Sequence, residues 1–229
     1  MKIDTYSLKA RYFPAILSIL LPILIFNHFY TSEILADFVD NTFGAKIISN
    51  LSISTIALFL LSQVGRIIGK VFEQMYFNEE SNFYTTKYLT FKDSIYPESY
   101  KKKIALKIQK DFSIQLKDKE AEIENYSDAV SIIIVAVRQV RKKLFKNKFL
   151  LQHNIEYGFS RNLVGGSVLG IVFCLWNIFF FSQIEPVLIA RNLSITLGSF
   201  YLILIFLGKP ILQMLSKAYA KILFREYMP

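Results

Sequence analysis

Residues 153–166 read HNIEYGFSRNLVGG, and the residue types invite a chemical reading. His153, Asn154, Glu156, Tyr157, Arg161 and Asn162 could supply a base, an acid and an anion holder directly before an apolar run. Spacing argues against it. Glu156 stands three residues after His153 with no second carboxylate, so no paired-acid arrangement forms. The other histidine, His28, falls in a different apolar block, at the expected opposite membrane face, and neither has a Cys or His partner at ligand spacing. No G-x-S-x-G, C-x-x-C or H-E-x-x-H occurs. GRIIGK (65–70) has one residue too few between its glycines for a phosphate loop, and Val71 stands where a hydroxyl is needed. The lone Cys174 lies mid-block and reads as an apolar filler. The expectation is no catalysis, no metal and no cofactor.

Placed among the elements that must hold it, the stretch is a membrane entrance. Over half of the 229 residues are apolar, with positive mean hydropathy. They come in four blocks: 13–29, 46–64, 162–182 and 192–214. Each is near the ~20 residues that a ~30 Å hydrocarbon layer demands. Pro14, Pro22 and Pro210 suit membrane helices better than soluble ones. The first block is longer than a signal-peptide core and no small-x-small site follows it, so it is expected to be retained. The fold expected is an all-α membrane protein with four transmembrane helices and a mainly helical insert between spans two and three. Its divisions are an N-terminal hairpin (1–64), a basic insert (65–161), and a C-terminal hairpin with basic tail (162–229).

Charge orients the spans. Of 27 Lys and Arg, eighteen lie in 65–161, three precede the first block and four follow from Lys209; only Lys46 and Arg191 remain. The positive-inside rule then puts both termini and the insert on the cytoplasmic side.

Within the insert, 97–116 reads as a helix with Pro97 at its first position. Residues 127–148 read as a second helix with Ser127 as N-cap. The latter's apolar core, 129–137, is too short to span and is either buried or laid on the membrane. Residues 76–94 read as loop or short strand. The run Arg138, Arg141, Lys142, Lys143, Lys146, Lys148 attracts either anionic lipid or the phosphates of RNA or a nucleotide, lipid being favoured by its juxtamembrane place. Tyr84, Tyr88 and Tyr100 could stack bases.

Gly65 and Gly69, at the exit of span two, and Gly166 and Gly170, at the entrance to span three, are each four apart, which places each pair on one helix face. The two span ends are expected to pack through them. Ser49, Ser52, Thr55 and Ser62 form a polar stripe on span two, either lining a pore built by several copies or bonding within and between helices; the second is the commoner use. In this setting HNIEYGFSRNLVGG is an anchor and hinge. Tyr157 and Phe159 sit at the interface, Arg161 faces phosphates, Gly158 permits a bend and Asn162 caps a helix starting at Leu163.

Four segments carry a resemblance. LLQHNIEYGFSRNLVG (150–165), KARYFPA (9–15), GRIIGKVFE (65–73) and TTKYL (85–89) resemble segments of small bacterial four-span membrane proteins. Those proteins carry Leu-Leu, Asn, Tyr-Gly-Phe, Arg-Asn-Leu and Gly before the third span. Where they usually have Gly-Gly and Pro before the Thr pair, this chain has NEESNFY. The layout is similar to membrane accessory proteins of anti-phage systems, including those beside the RNA-guided RNases of type VI-B CRISPR loci. The resemblance implies a non-enzymatic inner-membrane effector or modulator of prokaryotic anti-phage immunity that homo-oligomerises and alters permeability. It would answer to RNA, a nucleotide or a CRISPR or other defence-system protein, received at Arg138, Arg141, Lys142, Lys146 and Arg161. The alternative is a constitutive small-solute channel or transporter. No Asp, Glu or Arg lies deep in a span, which argues against ion-coupled transport.

Overall fold

The computed structural model describes residues 5–31 and 43–228, with side chains described outside 31–58. The chain is all-helical, with no strand among the described residues. Its elements are α1 (Thr5–Tyr30), α2 (Phe43–Phe77), α3 (Tyr84–Lys87), α4 (Glu98–Phe112), α5 (Lys119–Glu124), α6 (Tyr126–Lys143), α7 (Lys148–Gln183) and α8 (Leu188–Tyr227). Among the described residues three helices, α1, α7 and α8, are long and apolar enough to cross a membrane.

The chain divides into two compact units. Unit 1 comprises 1–73 and 158–211; unit 2 comprises 74–157 and 212–229. Unit 2 thus joins the middle of the insert, 74–157, to the end of α8, while 65–73 and 158–161 fall in unit 1. The cause lies in the sequence AYAKILFREY. Ala220, Leu223, Phe224 and Tyr227 recur at three and four, forming one apolar stripe, and all four are buried.

In unit 1, α1 is not a uniform α-helix. Leu8–Tyr12, Ile16–Leu20 and Asn27–Thr31 are wider, π-type turns. Prolines 14 and 22 lie just after or at the edge of such turns. A proline has no N–H to give the carbonyl one turn back, and a local change of helical register is one response. At the other end of α1, Phe26 and Tyr30 meet Phe180 of α7 edge-on, with ring centres 4.9 and 4.7 Å apart.

In unit 2 the core is built from Ile104 and Ile108 of α4, Ile133, Ala136, Val137 and Val140 of α6, Leu150 of α7 and the α8 stripe. The apolar stretch 129–137 is therefore a buried helix face. Boundaries differ from the sequence reading at several ends. Pro97 is the N-cap of α4 in extended conformation, one position earlier than expected, and the helix stops at Phe112 because Ser113 turns left-handed (φ 57°). Asn125, not Ser127, caps α6, accepting from the Asp128 N–H at 3.1 Å. Asn is among the strongest caps because its short side chain reaches the first free N–H groups. The segment 76–94, expected as loop or strand, holds a 3-10 turn (Glu80–Asn82) and α3.

A polar clamp orders the loop after α3. The Lys101 ammonium donates to the carbonyls of Thr90, at 2.5 Å, and Asp93. The Glu122 carboxylate accepts from the N–H groups of Phe91 and Lys92. Both charged residues are buried, and burial holds the Lys101 amine below its usual pKa of 10.5. Buried charges persist only when paired or hydrogen-bonded, as these are. Beside them Tyr84, Tyr88, Tyr96 and Tyr100 form a chain of ring contacts, and burial pushes the Tyr96 phenol up to about 12.

Candidate functional site

The stretch HNIEYGFSRNLVGG is one continuous helix inside α7. The helix is not interrupted at Gly158, and Asn162 lies inside it and is no N-cap. The cap is fifteen residues earlier, where the Asn147 side chain accepts from the N–H groups of Phe149 and Leu150. Each polar residue of the stretch whose hydrogen bond or ion pair is described is engaged. His153 Nδ1 stands 3.2 Å from Glu156, which also accepts from Gln152. Asn154 bonds Tyr219. These contacts lie in unit 2.

In unit 1 the rest of the stretch builds a junction with α1 and α2. Gly158, Asn162, Gly166 and Gly170 follow one another at intervals of four, so they line one side of α7. That side meets α1. Asn162 Nδ2 donates to the Ala10 carbonyl at 2.6 Å. Ala10 is four residues before Pro14, so this is the carbonyl that the proline cannot serve. A Cβ on Gly158 would come within 3.2 Å of the Ala10 methyl, and one on Gly166 would collide with the Ser18 hydroxyl. At Gly170 it would collide with the Ser18 carbonyl, again four before a proline, Pro22. One residue back, the Leu17 carbonyl accepts from the Tyr201 hydroxyl of α8 at 2.8 Å. Farther along, Asn177 donates to the Pro22 carbonyl at 2.8 Å. Asn162 and Asn177 are buried, at 4% and 1% exposure.

A neighbouring side of α7 meets α2. Gly165 is the tightest point: an added Cβ would strike the backbone of Gly65 and Gly69. Gly65 approaches Gly166 to 3.3 Å, measured from an added Cβ to the Gly166 Cα. Gly69 lies against the Arg161 carbonyl, where an added Cβ would stand at 2.5 Å. One turn beyond Gly69, Glu73 takes an ion pair from Arg161 at 3.0 Å, with both side chains only about one-seventh exposed (14% and 15%).

Of the four glycines singled out by spacing, the structure brings Gly65 to Gly166. Gly69 meets Arg161, and Gly170 faces α1 and Tyr201 rather than α2. Arg161, expected to face phosphates, is an interhelical tie. Removing either partner would leave a poorly solvated charge behind. Ser62 is buried and donates to its own helix, to the Phe59 carbonyl at 2.7 Å; it presents no wet surface. The side chains of Ser49, Ser52 and Thr55 lie outside the described residues. Gly165, Glu73, Asn177 and Tyr201 carry much of the junction and were missed, and Gly158, read as a hinge, is a close contact with α1. The Gly165–Gly166 doublet was the available signal for one of them, since two adjacent glycines in a helix invite two close neighbours.

The chain matches no family model, no curated protein and no solved structure. What it does is therefore read from its own residues.

In unit 2 the basic run ends α6. Arg138 pairs with Glu80 at 2.6 Å. Arg141 donates to the Thr85 hydroxyl at 2.7 Å and lies over the Tyr219 ring. Lys143 pairs with Asp111 at 2.7 Å, which holds that carboxyl below its usual range. Lys142 and Lys146 are exposed. Lys146 falls in the turn after α6, so it shares no helix face with Arg138, Arg141 and Lys142. Among the described residues no three His, Cys, Asp or Glu side chains converge on a metal position.

Proposed function

We propose that the chain is a four-span protein of a bacterial inner membrane, with both termini and the insert in the cytoplasm. In this reading it is a non-enzymatic effector or modulator of prokaryotic anti-phage immunity that changes membrane permeability on a cytoplasmic signal. The observation that carries the non-enzymatic part is how the polar side chains of the junction are spent. Asn162, Asn177 and Tyr201 each donate to an α1 carbonyl, and Arg161 is committed to Glu73. These groups, with the glycines, hold helices together; they are not aimed at a substrate.

Support for the orientation is the charge asymmetry, 25 basic residues on one side against two on the other. Support for a moving part is the character of α1. A helix with prolines and π-type turns, held through a few side-chain hydrogen bonds and glycine contacts, has more than one packing within reach. The link to phage defence rests on the likeness of its short segments to proteins of such systems. Homo-oligomerisation belongs to the same proposal, since a lone bundle of this size encloses no wide pore.

Cells carrying the protein, challenged with phage in the presence of a membrane-impermeant dye, should take up dye only when infected. Membranes that stay tight while the protein is present would count against the effector role. Dye entry without infection would favour a constitutive channel.

A further inference from the structure

Three cations of unit 2 gather at Tyr84 and Thr85. The ammonium groups of Lys87 and Lys217 stand 5.8 and 5.1 Å from the centre of the Tyr84 ring. Arg141 donates to the neighbouring Thr85 hydroxyl at 2.7 Å, with its guanidinium carbon 5.6 Å from the Tyr219 ring. They come from α3, α6 and α8, so tertiary structure assembles the group. The Lys and Arg ion pairs of unit 2 among the described residues engage other cations, namely Lys117, Lys119, Arg138, Lys143 and Arg225. Glu80, the carboxylate closest in sequence to Thr85 on its N-terminal side, is held by Arg138, and Glu79 accepts from the Ser81 hydroxyl.

Ring faces attract cations but carry no net charge, so they steady these groups without neutralising them. The Arg141 fork is fixed by a hydroxyl and a ring yet has N–H groups to spare, and each lysine brings three donors. A planar fork and point-charge ammonium groups are the kinds of donor that phosphoryl oxygens prefer.

We infer that Lys87, Arg141 and Lys217 form a binding site for a phosphoryl anion, either a soluble polyphosphate or nucleotide or a lipid headgroup. The site gives the signal-receiving role of unit 2 a chemical identity and rests on that reading for its purpose, though not for its binding.

Titration of inorganic pyrophosphate into the full-length protein, in nanodiscs of zwitterionic lipid, tests it. Saturable binding is expected, weakened at least tenfold by Arg141→Gln and by Lys217→Gln. Lys103→Gln and Lys110→Gln, at exposed lysines of α4 outside the cluster, should change it less than twofold. Lys217 is exposed, so its variant carries the test if Arg141→Gln fails to fold. Absence of saturable binding at millimolar pyrophosphate overturns the site, as does an equal loss with Lys103→Gln. Adding anionic phospholipid to the nanodiscs separates the sources. Unchanged pyrophosphate affinity assigns a soluble ligand, while competition that Lys217→Gln relieves assigns the headgroup. Binding without phage-triggered dye entry keeps the site and removes the effector role; dye entry without binding does the reverse.

Discussion

At Gly165 the distance between two helices is set by the absence of one carbon. A methyl group there meets the backbone of Gly65 and Gly69, which cannot rotate away, whereas at Gly166 it meets the Ser18 hydroxyl, which can. Two effects compete in Gly→Ala. Helix propensity favours alanine by about 1 kcal/mol. Overpacking against fixed atoms costs about 1–3 kcal/mol. Gly165→Ala should therefore lower the thermal midpoint and the monodisperse yield after extraction, while Gly166→Ala should be close to neutral. Equal effects of the two, read by fluorescence-detected size exclusion on heated samples, would mean that α2 and α7 do not approach in this way. The residue scale is also where sequence reading was weakest. Spacing of four found Gly65, Gly69, Gly166 and Gly170, but it reports a shared face and not which helix covers it. Arg161 shows the same limit, because an arginine at a membrane edge is read as phosphate-facing until Glu73, eighty-eight positions away, is placed beside it.

The element whose behaviour depends most on its neighbours is α1. Pro14 withholds an N–H from Ala10, and Asn162 provides one from α7. If that is why Asn162 matters, its value depends on the proline. Asn162→Ala should cost about 1 kcal/mol in the natural chain, as a buried interhelical hydrogen bond does. In a Pro14→Ala background, where residue 14 regains its N–H, the same change should cost clearly less. A double-mutant cycle on unfolding in detergent measures the coupling, and strict additivity would contradict the account. Helix existence was legible at this scale. Apolar blocks gave α1, α7 and α8, and the three-four pattern of 129–140 gave the core face of α6. Ends were not, because they are set by which side chain reaches a free N–H, as Asn125 and Asn147 do, and by turns such as the left-handed Ser113. The long continuous course of α7 was missed for a related reason. Its first turns, KFLLQHNIEY, are polar enough to read as a linker, and Gly158 resembles a hinge until its close fit to Tyr6 and Ala10 is seen.

For the whole molecule, composition says most and structure adds a division. More than half the basic residues lie in one connection between apolar helices, and no other sequence feature bears so strongly on the proposed orientation. What the sequence concealed is that the end of α8 belongs to the same compact unit as residues 74–157 of the insert, since AYAKILFREY looks like a basic tail until its apolar stripe is plotted on a helix. Both the proposed signal and the proposed phosphoryl site require unit 2 to face the cytoplasm. That requirement can be measured on its own. A single cysteine at the exposed position 102 (Lys102→Cys) in a Cys174→Ala background, probed on intact cells with a membrane-impermeant thiol reagent, reports the side directly. The account predicts no labelling until the inner membrane is opened by detergent, and full labelling afterwards. Labelling in intact cells would put the insert outside and contradict the orientation on which the proposed function stands.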